Sequence, residues 1–208
     1  MEIIMVIKII IILVFSYTFG SIPFGYLIGK YLKNIDIRKY GSGNIGVANT
    51  FRVLGVRYAI LALIGDCLKG FLSVYLARLI ITENIGILLL TGLFAIFGHN
   101  WSIFLKLNGG KGIATTYGVI LALFPNIALI SALIWGVLVV TLKFAVVGSI
   151  ISVFSMFILS FVFRTPFEFK YFLIIINLLA LLRHRANIIR LIQHKENKII
   201  PEKTDKRI

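Results

Sequence analysis

Cysteine and acidic residues are scarce in this chain, and each shortage excludes a class of site. The 208 residues include one cysteine, Cys67, so neither a disulfide nor a cysteine metal site can form within one chain. Asp and Glu number 8 against 22 Lys and Arg, they do not cluster, and no DxxD or HExxH motif occurs. We therefore predict no metal and no other cofactor. A Mg²⁺ ion shared between one carboxylate and a bound phosphate is left open.

Charged residues of both signs make up only 14% of the chain, whereas 59% is hydrophobic and the mean hydropathy is +0.99. This composition is typical of a polytopic membrane protein. Seven apolar windows are present: 3–19, 58–81, 85–97, 113–124, 127–142, 145–163 and 169–182. The two windows that flank the 108–112 loop, 85–97 and 113–124, are the shortest, at 13 and 12 residues against the roughly 20 that an untilted span needs. We predict an all-α integral membrane protein with seven transmembrane helices, in which the loop between the short spans extends them or dips into the membrane.

Lys and Arg fall mostly on one side if the chain crosses the membrane seven times. That side holds 6, 2, 1 and 8 of them in 30–57, 106–111, 143 and 183–208. By the positive-inside rule this side is cytoplasmic, which puts the N-terminus outside and the C-terminus inside. Merging 113–142 into one span gives a six-span alternative that sends the basic C-terminal segment outside, so we favour seven. We expect the excess charge to meet membrane lipids and anionic substrates, and not nucleic acid.

Three polar segments share the predicted cytoplasmic side. They are KYGSGNIGVANTFR at 39–52, NGGKG at 108–112 and RHRAN at 183–187. Glycine-rich backbone, with Arg52 and Lys111 nearby, is suited to hold an anion, and phosphate is the anion we expect. NGGKG departs from the nucleotide-binding pattern GxxxxGK[ST], so it indicates phosphate without indicating a nucleotide. The alternative interpretation is that these are tight turns and solvated connectors that carry topology charges.

Five blocks of sequence carry a resemblance that spans nearly the whole chain. They are GSIPFG at 20–25, DIRKYGSGNIGVANTFR at 36–52, GDCLKG at 65–70, GHNWSIFLKLNGGKGIAT at 98–115 and RHRANIIRLIQHKENK at 183–198. In this order they resemble the acyl-phosphate-dependent glycerol-3-phosphate acyltransferases of bacterial membranes. The resemblance implies transfer of a fatty acyl group from acyl phosphate to the 1-hydroxyl of glycerol 3-phosphate. The products would be lysophosphatidate and inorganic phosphate, on the cytoplasmic face of the cell membrane, in phospholipid synthesis.

The same resemblance implies which residues form the site. Catalytic roles would belong to Ser42, Asn44, Arg52, Lys111 and His184. Contacts with substrate or phosphate would belong to Gly41, Gly43, Asn49, Gly109, Gly110, Gly112, Ser149 and Asn187. Among these, Ser149 has a competing interpretation, because small polar residues within spans often serve helix packing.

The sequence does not supply a clear catalytic base. No Ser/His/Asp arrangement is readable, and none of His99, His184 and His194 has an aspartate five positions later, which disfavours the acyl-CoA-dependent family with its His-x4-Asp motif. The resemblance instead implies substrate-assisted catalysis without a covalent acyl-enzyme. A phosphate oxygen of glycerol 3-phosphate would accept the hydroxyl proton while the loops orient both substrates.

Two other functions also fit a polytopic protein with phosphate-binding loops. A transporter of a small phosphorylated metabolite would need access from both faces, but the polar segments lie on one predicted face. A scaffold for other lipid enzymes would leave the glycine loops unexplained. We therefore favour an enzyme.

We predict one polytopic catalytic domain at 1–195 and a charged cytoplasmic tail at 196–208. Asp66 and Lys69 lie three apart on one helix, where a structural ion pair is expected. A structural ion pair is also expected for Glu196, while His99 is expected to be an interfacial or hydrogen-bonded residue. The sequence assigns no oligomeric state.

Overall fold

The computed structural model describes residues 2–80 and 83–199, and these residues contain nine α-helices and no β-strand. The helices are α1 (Glu2–Gly20), α2 (Phe24–Lys33), α3 (Val47–Leu54), α4 (Val56–Ile80), α5 (Ile85–Asn100), α6 (Ile113–Leu123), α7 (Pro125–Leu142), α8 (Ala145–Val162) and α9 (Phe167–Ile192). Single 3₁₀ turns lie at Ile37–Lys39 and Ile103–Leu105. Each of the seven apolar windows coincides with one of α1 and α4 to α9, so the all-helical membrane fold is confirmed.

Among the seven helices α1 and α4 to α9, six are long and apolar enough to cross a membrane, when α5 is counted with the 3₁₀ turn as Ile85–Leu105. The exception is α6, whose 11 residues are about 16 Å long, roughly half of a bilayer's hydrocarbon thickness. The count of seven crossings and the orientation of the chain remain predictions.

The short helix α6 is enclosed by protein, mainly by α4. Glycines allow this close approach: a Cβ at Gly70 of α4 would collide with the Thr115 carbonyl of α6, and a Cβ at Gly118 of α6 would collide with the Cys67 carbonyl of α4. Small residues at helix contacts are typical of membrane proteins, where packing stabilises association. Protein therefore covers most of α6, in which seven of the 11 residues are buried and Leu121 is exposed.

A buried ion pair lies where α4 meets α5 and the turn before α2. Lys69 Nζ lies 2.9 Å from Asp66 Oδ1 and donates a hydrogen bond of 2.7 Å to the Ile22 carbonyl. His99 Nδ1 of α5 lies 3.4 Å from the same carboxylate oxygen. The expected pairing of Asp66 with Lys69 is therefore confirmed. The pair neutralises two charges that α4 buries, and its contacts with Ile22 and His99 connect α4 to the two neighbouring segments.

Two short helices, α2 and α3, lie in the region that the sequence suggested was a loop. On α2, Gly25 and Gly29 are four residues apart and buried on one face, and a Cβ at Gly25 would collide with the Ile45 carbonyl. In the last turn of α2, Tyr31 and Leu32 are exposed. Asn34, in the left-handed conformation, caps the end of the helix. Through the close approach at Gly25, α2 packs the 39–46 loop against the bundle.

Candidate active site

One cavity of about 340 Å³ brings the three predicted polar segments together. Its polar wall comes from the loop before α3, from α3, from the loop before α6, from α9 and from the segment that follows α9. That wall includes Ser42, Asn44, Asn49, Arg52, Lys111, His184, Asn187 and Glu196. Its apolar wall comes from α4, α6, α7 and α8. The predicted convergence of the three segments is therefore observed, in a cavity that is cationic on one side and apolar on the other.

Asn49 organises the first loop. Its side chain accepts a hydrogen bond of 2.8 Å from the Ser42 N–H and donates to the carbonyls of Asn44, Tyr40 and Ile37 at 2.8, 3.1 and 3.3 Å. Gly41 has a φ of 60°, and a Cβ there would collide with Asn49 Oδ1. The amide is thus satisfied by loop backbone, which fixes the positions of Ser42 and Asn44 at the cavity.

Arg52 lies one turn after Asn49 on α3 and carries a positive charge into the cavity. Its Nε donates to the Lys198 carbonyl at 3.1 Å and its Nη2 to the Asn197 carbonyl at 3.3 Å. Burial lowers the pKa of Arg52, with the nearby Glu196 carboxylate opposing that effect. The residues that follow α9 therefore pack over α3 at Asn197 and Lys198, and then over the end of α7, where the Ile199 N–H donates to the Lys143 carbonyl at 2.8 Å. The rest of the predicted tail, 200–208, lies outside the described residues.

Lys111 is the second cation of the cavity. Its Nζ donates a hydrogen bond of 2.6 Å to Asn187 Oδ1. Burial lowers the pKa of Lys111 to about 8, because a buried ammonium loses hydration. Gly112, the residue immediately before α6, follows with a φ of 80°. The first turn of α6 then presents backbone N–H groups without intrahelical partners beside the Lys111 ammonium.

The helix α9 places His184 and Asn187 three residues apart on one buried face. Asn187 Nδ2 donates a hydrogen bond of 2.6 Å to Glu196 Oε1, and Arg190 Nε donates one of 2.9 Å to Glu196 Oε2. Glu196 therefore forms the expected structural ion pair, and its partner is Arg190. A chain of polar contacts runs from Lys111 through Asn187 to Glu196, and it holds the ammonium in place.

His184 has a defined tautomer when it is neutral. Its Nδ1 lies 2.8 Å from the Ala180 carbonyl, which can only accept a hydrogen bond, so Nδ1 carries the proton. In the neutral ring Nε2 is then left as an acceptor. His184 can therefore accept a hydrogen bond from a bound hydroxyl or a protonated phosphate through Nε2.

The apolar wall lies among the membrane-length helices and has one polar feature. Ser149 of α8 lines the cavity, and its Oγ accepts a hydrogen bond of 3.3 Å from the Trp135 indole of α7. Leu63, Leu121 and Leu129 also line the cavity, although they are 42%, 38% and 63% exposed. Because these large apolar side chains are only partly covered by protein, this part of the cavity is not fully enclosed.

The predicted site residues divide into two groups. Ser42, Asn44, Asn49, Arg52, Lys111, Gly112, Ser149, His184 and Asn187 line the cavity. Gly41, Gly43, Gly109 and Gly110 do not. The first two sit at positive φ in the loop beside Asn49, and the other two pack against His99, whose backbone carbonyl or ring a Cβ would strike. Phosphate contact by these four glycines remains a prediction.

Sequence reasoning gave no place in the site to some residues that line the cavity or contact its loops. Asp66, His99 and Glu196 line the cavity. Arg183 hydrogen-bonds the carbonyls of Gly109 and Gly110. Asp66 lies in the GDCLKG block and His99 in the block that begins GHN, so the resemblance could have indicated both residues. The sequence alone does not show that they lie near the NGGKG loop. Among residues 2–80 and 83–199, no group of three His, Cys, Asp or Glu side chains is arranged to hold a metal ion.

Comparison with known proteins assigns the family. A family model described as glycerol-3-phosphate acyltransferase matches residues 10–194. A glycerol-3-phosphate acyltransferase of Aquifex aeolicus is 37% identical over 191 residues, which cover 92% of this chain and 99% of that protein. The chain belongs to the glycerol-3-phosphate acyltransferase family. Another member of the family, from Halalkalibacterium halodurans, is 40% identical over 189 residues, which cover 88% of this chain and 92% of that protein.

Solved structures of this acyltransferase family have the same fold. The crystal structure of PlsY (YgiH), an integral membrane glycerol 3-phosphate acyltransferase, in its glycerol 3-phosphate form superposes with a TM-score of 0.87 at 37% identity. The match covers 92% of this chain and 95% of that chain. Its lysophosphatidic acid form superposes with a TM-score of 0.85 at 36% identity. This acyltransferase is accordingly an integral membrane enzyme, and phospholipid synthesis follows from its family.

Proposed function

We propose that this acyltransferase moves a fatty acyl group from acyl phosphate to the 1-hydroxyl of glycerol 3-phosphate. The products are lysophosphatidate and inorganic phosphate. The observation that carries the proposal is the single cavity in which Arg52 and Lys111 lie on one side and the apolar walls of α4, α6, α7 and α8 on the other. Both substrates carry phosphate and one carries a fatty chain, so such a cavity matches their combined chemistry.

The cationic side suits the phosphate groups. Arg52 offers a planar guanidinium that can bind two oxygens at once, and Lys111 offers a compact ammonium beside the first turn of α6. The free N–H groups of that turn and the helix dipole also favour an anion. Ser42 and Asn44 lie on the same wall, within the loop that Asn49 holds. We assign the phosphates to this wall. The related PlsY has a glycerol 3-phosphate form and a lysophosphatidic acid form, and both of these ligands carry a phosphate.

The apolar side suits the acyl chain. Leu63, Leu121 and Leu129 line this side and are only partly covered by protein, and we propose that a fatty chain enters there from the membrane while the acyl phosphate headgroup stays among the cations. Burial of the chain contributes roughly 0.8 kcal/mol for each methylene that would otherwise meet water. The hydrogen bond from Trp135 to Ser149 places a hydroxyl on α8 within the cavity.

The reaction in this proposal is a direct displacement at the acyl carbonyl. The 1-hydroxyl oxygen of glycerol 3-phosphate attacks the carbonyl carbon, its proton passes to a phosphate oxygen of the same substrate, and the carbon–oxygen bond to the departing phosphate breaks. Ser42 or Asn44 polarises the carbonyl, and Arg52 and Lys111 neutralise phosphate charge. His184, with Nδ1 donating to Ala180, keeps Nε2 available to hold a hydroxyl. Orientation of two bound substrates contributes to the rate without a covalent intermediate.

We further propose that the chain crosses the membrane seven times, with α6 as the short crossing. The N-terminus lies outside and the cavity opens on the cytoplasmic face. The segments 30–57, 106–111 and 183–198 then share the face that is richest in Lys and Arg.

An assay of the purified protein tests the donor, the acceptor and the metal requirement together. Lysophosphatidate and phosphate release are followed with acyl phosphate or acyl-CoA as donor, with and without exhaustive chelation. We expect product from acyl phosphate, far less from acyl-CoA, and no loss on chelation. Arg185→Lys, an exposed position on α9, serves as the matched control for variants of the cavity.

Each adverse result of this assay rejects a specific part of the proposal. Product from acyl-CoA alone rejects the donor. Activity that disappears on chelation and returns with Mg²⁺ rejects the metal-free mechanism. If neither donor gives product in detergent or in lipid, the enzymatic proposal fails, and uptake of glycerol 3-phosphate by vesicles would then test the transporter.

A further inference from the structure

Arg183 is a charged residue of α9 that does not line the cavity but contacts the loop that does. Its Nε donates a hydrogen bond of 3.0 Å to the Gly110 carbonyl, and its Nη2 donates bonds of 2.6 and 3.1 Å to the carbonyls of Gly110 and Gly109. The guanidinium lies over the Trp101 ring at 5.3 Å from its centroid. Four interactions therefore converge on one side chain.

These hydrogen bonds fix two successive peptide planes. In a trans peptide the carbonyl points opposite to the N–H that follows it. The Gly109 carbonyl faces Arg183, and the N–H of Gly110 accordingly points away and donates a bond of 2.9 Å to the His99 carbonyl. The Gly110 carbonyl also faces Arg183, so the N–H of Lys111 is directed away from the guanidinium.

His99 closes the other side of the same loop. A Cβ at Gly109 would collide with the His99 carbonyl, and one at Gly110 would collide with the His99 ring. The absence of side chains at both positions lets the loop lie between His99 and Arg183. We call these contacts of His99 and Arg183 with Gly109 and Gly110 the clamp. The chain then continues to Lys111, whose ammonium reaches Asn187, and to Gly112, the residue before α6.

We propose that Arg183 is a positioning residue, which sets the affinity for glycerol 3-phosphate by holding the peptide planes that precede Lys111 and the start of α6. It acts through the loop and does not touch the substrate. The inference rests on the proposed function, because it presumes that Lys111 and the first turn of α6 hold phosphate. Bidentate geometry is essential to it, since one ammonium cannot replace a planar fork that reaches two carbonyls.

Arg183→Lys keeps the charge and removes the fork. Loss of hydrogen bonds from a charged group predicts a rise of about tenfold or more in KM for glycerol 3-phosphate. We expect kcat and the KM for the acyl donor to stay within about twofold of wild type. Arg185→Lys, two residues further along α9 and exposed, is the matched control and should behave as wild type. Trp101→Leu removes the surface beneath the guanidinium and should raise the same KM by less, which provides a second variant if the first does not fold.

A double-mutant cycle with Lys111→Ala separates positioning from a merely structural role. If Arg183 acts through Lys111, the combined variant should lose less affinity than the product of the two single losses. Calorimetric binding of glycerol 3-phosphate without a donor gives the same comparison independently of turnover. Failure of acyl transfer in wild type with binding intact would reject the proposed reaction while still testing the clamp. Wild-type affinity in folded Arg183→Lys, multiplicative losses in the cycle, or a loss of kcat at unchanged KM would overturn the inference.

Discussion

At the scale of single residues, the two cations of the cavity differ in their hydrogen-bond partners and in how readily burial removes their proton. Arg52 donates to backbone carbonyls at 197 and 198, whereas Lys111 donates to the side chain of Asn187. A guanidinium stays charged at any pH of interest, but an ammonium can lose its proton when it is buried. The charge of the site in the mildly alkaline range is therefore governed by Lys111.

The first prediction concerns pH. Because burial lowers the pKa of Lys111 to about 8, the ammonium is charged below that pH and neutral above it. We expect KM for glycerol 3-phosphate to rise as pH passes upward through about 8. Lys111→Arg should move that rise to higher pH, because a guanidinium keeps its proton. Initial rates between neutrality and mildly alkaline pH provide the measurement, and an identical profile in both proteins would remove Lys111 from this role.

Residue identity predicted much of the candidate site, but contacts changed the interpretation of several positions. Arg52, Lys111, His184 and Asn187 were recognisable from resemblance, and they do line one cavity. The glycines at 109 and 110 also stood out, yet their lack of a side chain serves contact with His99. Arg183 sits beside His184 in the same basic block, and sequence alone does not indicate which cation of that block faces the glycine loop.

At the scale of elements, the close contact of α4 with α6 positions the first turn of α6 at the cavity. The contact depends on glycines that no hydropathy window distinguishes from other small residues. Gly118 faces the Cys67 carbonyl so closely that no side chain fits, whereas Gly136 of α7 has nothing within 4 Å of an added Cβ. These two glycines therefore provide a matched pair for a packing experiment.

We predict that Gly118→Ala destabilises the protein by about 1–3 kcal/mol, because one methyl group must push apart the backbones of α4 and α6. Gly136→Ala should be neutral or slightly stabilising, since alanine favours a helix and meets no neighbour. Thermal unfolding of both variants in detergent gives the comparison. Equal melting temperatures for the two would show that the contact yields more easily than the structure indicates.

The sequence predicted the long apolar helices but not the two short ones. The apolar windows located α1 and α4 to α9, because membrane spans have a strong compositional signal. The helices α2 and α3 were missed, since they are short, carry polar residues and depend on packing against the bundle. The half-length α6 was recognisable as a short window, but the way protein encloses it depends on tertiary contacts.

At the scale of the whole molecule, topology determines whether the polar segments can share one aqueous face. The six-span and seven-span arrangements differ in whether α6 and α7 make one crossing or two. In the seven-span arrangement, the turn between α7 and α8 lies on the same side of the membrane as the loop before α6. In the six-span arrangement, the two lie on opposite sides. Exposed positions at Lys106 and Lys143 report on those two segments, and Glu83 and Arg164 report on the other face.

We predict that single cysteines at Lys106 and Lys143, in a Cys67→Ser background, react only with reagents that reach the cytoplasm. Cysteines at Glu83 and Arg164 should react with impermeant reagents added outside intact cells. Each variant must retain acyl transfer to be interpreted, and permeabilised cells provide the labelling control. Outside labelling at Lys143 together with inside labelling at Lys106 would establish the six-span arrangement and overturn the proposed orientation.

The opening toward lipid that we propose beside Leu63, Leu121 and Leu129 has a kinetic consequence for the proposed donor. A substrate that arrives by diffusing in the plane of the bilayer is sensed as a mole fraction of lipid, whereas glycerol 3-phosphate is sensed as a molarity in water. Adding inert phospholipid then slows the enzyme by surface dilution, while adding buffer does so only through the acceptor. The rate therefore depends on the mole fraction of the donor in the membrane and on the molar concentration of glycerol 3-phosphate in water. Changing the lipid composition of the membrane then changes the rate as directly as changing the supply of glycerol 3-phosphate does.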